Sequence, residues 1–269
     1  MFRTAILDLY NGTPNLGMTY LRNLVKAFPE LTAKVFDVRE GKMVPDTSFD
    51  LYILSGGPGD PRDIDPTWGD PFFHLIDTLW KMNQDTSLPK KHVFFICHSF
   101  QTLCWHWGIG KLSKRNTRSF GIYPVHKTAD GLTESLFKDL PDPFYVGDFR
   151  DYQITEIDQA TLDFYSAKIT ALEKVRPHVS MERAAMAIRF SETWFGTQFH
   201  PEASPLGMLQ HFTKPDKRDE ILEFQHPDKY LRMITELHDP NKLGLTQCTI
   251  LPRFLRHAIE SLQQVEALC

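Results

Sequence analysis

The sequence predicts an α/β fold: an open, mostly parallel, twisted sheet with helices on both faces, followed by a C-terminal helical extension. Two observations lead there. Short runs of apolar residues that cannot all face water, such as "HVFFIC" ending at Cys97, alternate with segments whose apolar residues recur every three or four positions. Beyond residue 205 the strand-like runs stop, and amphipathic segments that begin at prolines take over.

Thr4 to Leu9 ("TAILDL") reads as the first strand, running into the turn-rich "YNGTPN". Leu16 to Phe28 places Leu16, Tyr20, Leu21, Leu24 and Phe28 on one helical face. "AKVFDV" (Ala33 to Val38) and "DLYILS" (Asp50 to Ser55) return as strands. Residues 68 to 83 form a second helix with Trp68, Phe72, Leu75, Ile76, Leu79 and Trp80 in register. After "HVFFIC", a third helix runs from Ser99 to Trp107 on Phe100, Leu103, Cys104 and Trp107. From Ser119 to Phe199 shorter β-like segments follow: "FGIYPVHK", "PFYVGDF", "LDFYSAKI", "AAMAIRF" and "WFGTQF", the last two joined by "SET" as a hairpin. Residues 206 to 269 form the extension, with helix starts expected at Pro215, Pro227 and Pro252 because proline loses no hydrogen bond at a first helical position. Tyr230, Leu231, Ile234 and Leu237 make one apolar stripe there, and Leu255, Ile259 and Leu262 another. The extension is expected to cover a face or edge of a main domain spanning residues 1 to 205.

A net charge of −4 with no basic run argues against nucleic acid as a partner. No apolar run approaches the roughly 20 residues that span a bilayer, and no leader pattern precedes the first strand, so a cytoplasmic protein without membrane contact is expected. Cysteines 97, 104, 248 and 269 show neither CxxC pairing nor a disulfide spacing, which fits reduced thiols. "GIGKLSK" (Gly108 to Lys114) fails as a phosphate loop, since Trp105 stands five before Gly110 and Leu112 follows the lysine. His92, His98 and His106 lack ligand spacing, so neither a metal nor another cofactor is expected.

Three stretches carry chemistry, each at the end of a strand. "ILSGGPGDP" places Ser55, Gly56, Gly57 and Pro58 after one, where glycines let N–H groups turn toward a negative charge. Cys97 sits between a strand and a helix whose positive end favours the thiolate. "GTQFHPEAS" places His200 and Glu202 two residues apart, on one side of an extended chain, where a carboxylate can orient an imidazole. Ligands of open α/β sheets collect at the carboxyl ends of strands, where all three stretches fall.

Over roughly residues 1 to 205 these motifs resemble the class I glutamine amidotransferases, whose sheet is flavodoxin-like. The family's Ser-Gly-Gly-Pro loop is matched by Ser55 to Pro58, its Gly-x-Cys-x-Gly-x-Gln elbow at Cys97 and Gln101, and its Gln-Phe-His-Pro-Glu by Gln198 to Glu202. The resemblance implies that Cys97 attacks the side-chain amide of glutamine, His200 shuttles the proton and Glu202 orients it. Gly57 and His98 would supply oxyanion-hole N–H groups, and Gly56 and Gln101 would contact the substrate. Phe95 and Ser99 replace the elbow's two glycines, so a locally opened turn is expected, with His98 adding a side chain beside the thiol. The implied activity is hydrolysis of glutamine or another γ-glutamyl compound, with ammonia passing to a separate synthase. The alternatives are a γ-glutamyl conjugate hydrolase, an acyl transferase similar to homoserine O-succinyltransferases, and a non-catalytic binding homologue.

Overall fold

The computed structural model describes residues 1–177 and 179–267. Cys269 lies outside them. The first part of the chain alternates β1 (Phe2–Asp8), α1 (Leu16–Lys26), β2 (Leu31–Asp37), β3 (Leu51–Leu54), α2 (Pro66–Gln84), β4 (His92–Ile96) and α3 (His98–His106). The middle holds β5 (Gly110–Lys127), the single turn α4 (Ala129–Leu132), β6 (Phe144–Ile157), α5 (Gln159–Tyr165), β7 (Lys168–Glu173), β8 (Ala185–Ser191) and β9 (Trp194–Thr197). Then come α6 (Pro205–Phe212), α7 (Pro215–Phe224), α8 (Pro227–Leu237) and α9 (Leu245–Glu266).

The described strands form one mixed, mostly parallel sheet in the order β2-β1-β3-β4-β9-β8-β7-β5-β6. The run from β2 to β9 is parallel throughout. From β9 to β6 each neighbour is antiparallel. The expected hairpin is β8–β9. Chain order reverses about β1, with β2 on one side and β3 on the other, which opens a crevice at the carboxyl ends of the parallel strands.

Strand β4 shows why the apolar runs are continuous. Phe94 and Ile96 enter the core on one face, with Met18, Leu21 and Val25 of α1. Val93 and Phe95 enter the core on the other, with α2 and α3. Helix α9 belongs to the first core through Phe254, Leu255, Ala258, Ile259 and Leu262, and Phe254 meets Phe94 edge-on at 5.1 Å. The last helix therefore covers a sheet face. Helices α6, α7 and α8 make a smaller cluster against Ile122 and Phe120 of β5.

Several expectations need correction. "LDFYSAKI" is not one strand: Leu162 to Tyr165 are helical in α5, and only Lys168 onward pairs in β7. Asp158 caps that helix by accepting the Thr161 N–H at 2.7 Å, and this local bond outweighs the β preference of the aromatic residues. Pro252 does not start a helix but lies inside α9. The carbonyl it leaves without a donor belongs to Cys248, an exposed residue, where water can replace the lost bond. Ser204 and Pro205 start α6 unannounced, the Ser204 hydroxyl accepting from Gly207 N–H at 3.2 Å. On α8 it is Met233 that joins Tyr230 and Leu237 inside, while Leu231 is 60 % exposed.

The bulky residues around Cys97 are accommodated by a small residue on the next strand. Phe95 pairs with Gly196 of β9, and a Cβ at Gly196 would stand 2.7 Å from the Phe100 ring and 3.0 Å from Phe190. Gly196→Ala is expected to destabilise the protein by about 1–3 kcal/mol through overpacking. Urea unfolding would measure it, and adding Phe100→Leu should recover part of the loss, because residues in contact are energetically coupled.

Candidate active site

Cys97 is the pivot between β4 and α3, with φ 49° and ψ −97°, in the left-handed half of conformational space where a side chain is strained. Four hydrogen bonds fix it. Its N–H donates to Thr197 O of β9 at 2.7 Å, and its carbonyl accepts from Gln101 N–H at 2.9 Å. The Ser99 hydroxyl accepts the Ile96 N–H at 2.9 Å and donates toward Leu54 O at 2.9 Å, stitching the ends of β4 and β3 together. Ser99 thus ties the elbow down where an opened turn was expected.

His200 and Glu202 follow β9, so the Gly-Gly turn after β3, Cys97 after β4 and this pair after β9 meet at one edge of the parallel half. The pair is joined across the turn at Pro201–Glu202, not along an extended chain. Glu202 Oε1 lies 2.7 Å from His200 Nδ1, with the carboxylate side chain 2 % exposed. Burial pulls the imidazole pKa down, but the charge and hydrogen bond of Glu202, with the nearby Cys97 sulfur, outweigh it and hold the ring well above its ordinary value. The N-terminus of α1 abuts the carboxylate: a Cβ at Gly17 would stand 2.9 Å from Glu202 Cγ, and the helix dipole there favours negative charge. Glu202 Oε2 is buried without a hydrogen-bond partner among the described residues.

Gly56 lets the ring in, since a Cβ on it would stand 2.7 Å from His200 Cε1 and 2.9 Å from Tyr10 Oη. Gly57 and Gln101 line the cleft with Cys97, His200 and Glu202. His98 opens α3, where its N–H has no intrahelical acceptor. Its ring does not narrow the cleft beside the thiol. It is 2 % exposed, and burial, followed by the Arg39 charge, pushes it down to about 3, so it is neutral. Both amide protons of Gln101 are committed, to Tyr152 O at 2.8 Å and Gln198 Oε1 at 3.0 Å, which leaves its oxygen for a ligand.

Sequence reasoning passed over several residues here. Gln198 Nε2 points at Cys97 Sγ, 3.8 Å away, completing a chain from Gln101 through Gln198 to the thiol. Tyr10 lines the cleft, and burial, with the Glu202 and Cys97 charges, holds its hydroxyl protonated far above the ordinary tyrosine value. Arg118, Arg150 and Phe149 also line it. Gln198 lay inside a matched motif and could have been read; the others lie far from any motif. Cys104 is fully buried in α3 and burial pushes its thiol up, as suits a core residue. Of the three histidines set aside as metal ligands, His106 reaches Asp77 at 3.2 Å while His92 lies in the core beside Phe254. No group of three or more His, Cys, Asp or Glu side chains suited to a metal occurs among the described residues, and no described helix is long and apolar enough to cross a membrane.

The chain is similar in structure to a glutamine amidotransferase from Thermotoga maritima, with TM-score 0.67 and 14 % identity over 96 % of this chain and 98 % of that one. A glutamine amido transferase from Methylobacillus flagellatus gives TM-score 0.61 at 14 % identity over 97 % and 93 %. The glutaminase domain of a Trypanosoma brucei CTPS with bound acivicin gives 0.54 at 13 % identity over 75 % and 86 %. At these identities the likeness establishes the fold. No curated protein matches the sequence. The model of the class-I glutamine amidotransferase family, however, matches residues 13–214, three-quarters of the chain and all three strand-end stretches. The chain belongs to the class-I glutamine amidotransferase family.

Proposed function

We propose that the protein hydrolyses the side-chain amide of glutamine, or of another γ-glutamyl compound, through a thioester on Cys97. The observation that carries this reading is the imidazole of His200, held by Glu202 at Nδ1 and lining one cleft with Cys97. Cys97 Sγ attacks the amide carbon, and the N–H groups of Gly57 and His98 stabilise the oxyanion. His200 gives its proton to the nitrogen as the C–N bond breaks and ammonia leaves for a separate synthase. Water then attacks the thioester, giving a proton to His200, and the C–S bond breaks to release glutamate. Gly56 admits the ring, and the Gln101 oxygen holds the substrate.

A cleft of about 550 Å³ favours the γ-glutamyl conjugate reading in one respect. It has room beyond a free amino acid, with Phe149, Tyr152, Met208 and Phe212 offering an apolar wall for a larger leaving group.

Ammonia release from glutamine and from a panel of γ-glutamyl amides tests both readings. Cys97→Ser and His200→Ala should each lower turnover by about a thousandfold or more, and the double variant should lose little further, because groups acting as a unit are not additive. Retention of turnover in His200→Ala would remove the assignment. Gly56→Ala should displace the imidazole, and a shift of about 1 Å costs on the order of a hundredfold; turnover should fall by far more than the modest lowering of the melting temperature that the same contact brings.

The pH profile gives an independent check. With its pKa raised, His200 stays protonated past the ordinary histidine range, so alkaline loss of activity should lie well above pH 6.5. Glu202→Gln removes the charge that raises it and leaves burial less opposed, so the alkaline limb should move to lower pH. An unmoved limb would show that another group sets it.

A further inference from the structure

A second cavity, of about 270 Å³, lies against the antiparallel half of the sheet, between β5, the chain following β7, and α8. Its cations exceed its carboxylates. Three guanidinium groups share two buried carboxylates: Arg150 donates to Asp148 at 2.8 Å and to Glu173 at 3.1 Å, Arg115 to Glu173 at 2.9 Å, and Arg176 Nη2 stands 2.8 Å from Glu173 Oε2. That last ion pair is misaligned, leaving both atoms without a hydrogen bond among the described residues. The side chains of Arg150, Asp148, Glu173 and Arg115 are 1, 3, 6 and 8 % exposed, so water screens them little. Arg150 stands behind this wall and lines the cleft of Cys97 instead, with its Nη1 buried and without a partner among the described residues.

Further positive charge lines the same space. Lys174 and Lys229 have no carboxylate within 4.0 Å among the described residues. Arg118 and Arg232 reach theirs only at 3.9 Å (Asp151) and 3.7 Å (Glu236). Burial, and then the like charge of Arg150, lower the Arg115 pKa, while burial lowers that of Lys174. Buried charge left uncompensated is costly, and a fork of guanidinium groups matches the oxygens of phosphate and carboxylate. Tyr123, Val125, Met186 and Met233 complete the wall with apolar surface.

We propose that this cavity binds a small organic anion whose two or more negative charges, on phosphate or carboxylate groups, engage Arg115, Arg176, Lys174 and Lys229, with a short apolar body against Tyr123 and Met233. The site is separate from the cleft of Cys97 but adjoins it, since Arg118 and Phe120 line both. The bound anion holds Arg118 at the shared wall and sets the charge that the cleft presents to its substrate.

The test uses the full chain and two probes, inorganic pyrophosphate and citrate, each titrated calorimetrically at fixed ionic strength with chloride as the control. At least one should bind, one per chain. Lys229→Gln with Arg232→Gln, both on the exposed side of α8, should weaken it at least tenfold without altering the melting temperature of the unliganded protein. Cys97→Ser should leave it within twofold. Pyrophosphate binding alone would mark the site for phosphate, and citrate alone for carboxylate. Binding of neither probe, equal binding by the α8 double variant, or loss of binding in Cys97→Ser would overturn the proposal.

Discussion

The site depends on the strained backbone of Cys97. A non-glycine residue at φ 49°, ψ −97° costs on the order of 1–3 kcal/mol and persists only where its surroundings over-determine it. Here the surroundings are three strand ends. Thr197 of β9 takes the Cys97 N–H, Ser99 bridges β3 and β4, and Gln101 returns a bond to the Cys97 carbonyl from one turn into α3. The parallel order β3-β4-β9 is what brings those partners to one edge. The same order sets His200 beyond β9 and the Gly56–Gly57 turn beyond β3, so strand order and site geometry are one constraint.

That constraint explains why large residues around the elbow are compatible with it. Sterics within the turn suggested that Phe95 and Ser99 would force it open. The relevant volume lies on the adjacent strand. Gly196 stands opposite Phe95, and its missing side chain is the space that the Phe100 ring occupies. Ser99 makes the hydrogen bonds that a glycine there could not make. Bulk and hydroxyl are absorbed into the core and the strand ends, and the His98 side chain is buried outside the lining of the cleft.

What the sequence made legible follows the range of the forces involved. β1 to α3 were readable because their burial pattern is local and periodic: β4 is apolar at each position from Val93 to Ile96, and α2 repeats its apolar residues every three or four. Cys97, His200 and Glu202 were readable because each stands in a short motif at a strand end. α5 was missed because one capping bond from Asp158 overrode the propensity of aromatic residues. Pro252 was misplaced because a proline inside a helix is tolerated only where its orphaned carbonyl meets water, and exposure is a tertiary property. Tyr10, Gly17 and Arg150 were invisible for a related reason: they reach the site from the turn after β1, from α1 and from β6, and no spacing in the chain encodes that meeting.

Charge makes the same point at larger scale. The chain is net negative and carries no basic run, which fairly excluded a nucleic-acid surface. Net charge does not describe where the charges go. Arg115 and Arg118 ride on β5 and Arg176 lies beyond β7, and antiparallel pairing of β5 with β7 gathers them into one wall, while Arg150 of β6 reaches the same Glu173 from the side of the Cys97 cleft. The C-terminal helices then close both cavities: α6 brings Met208 and Phe212 to the cleft of Cys97, and α8 brings Lys229, Arg232 and Met233 to the basic cavity. They cluster with Phe120 and Phe149 in one small apolar core that lies between the two walls. Residues 206 to 237, part of an extension expected to cover a face or edge of the main domain, also form much of the surface that any substrate or anion would meet, while α9 covers the sheet face at Phe94.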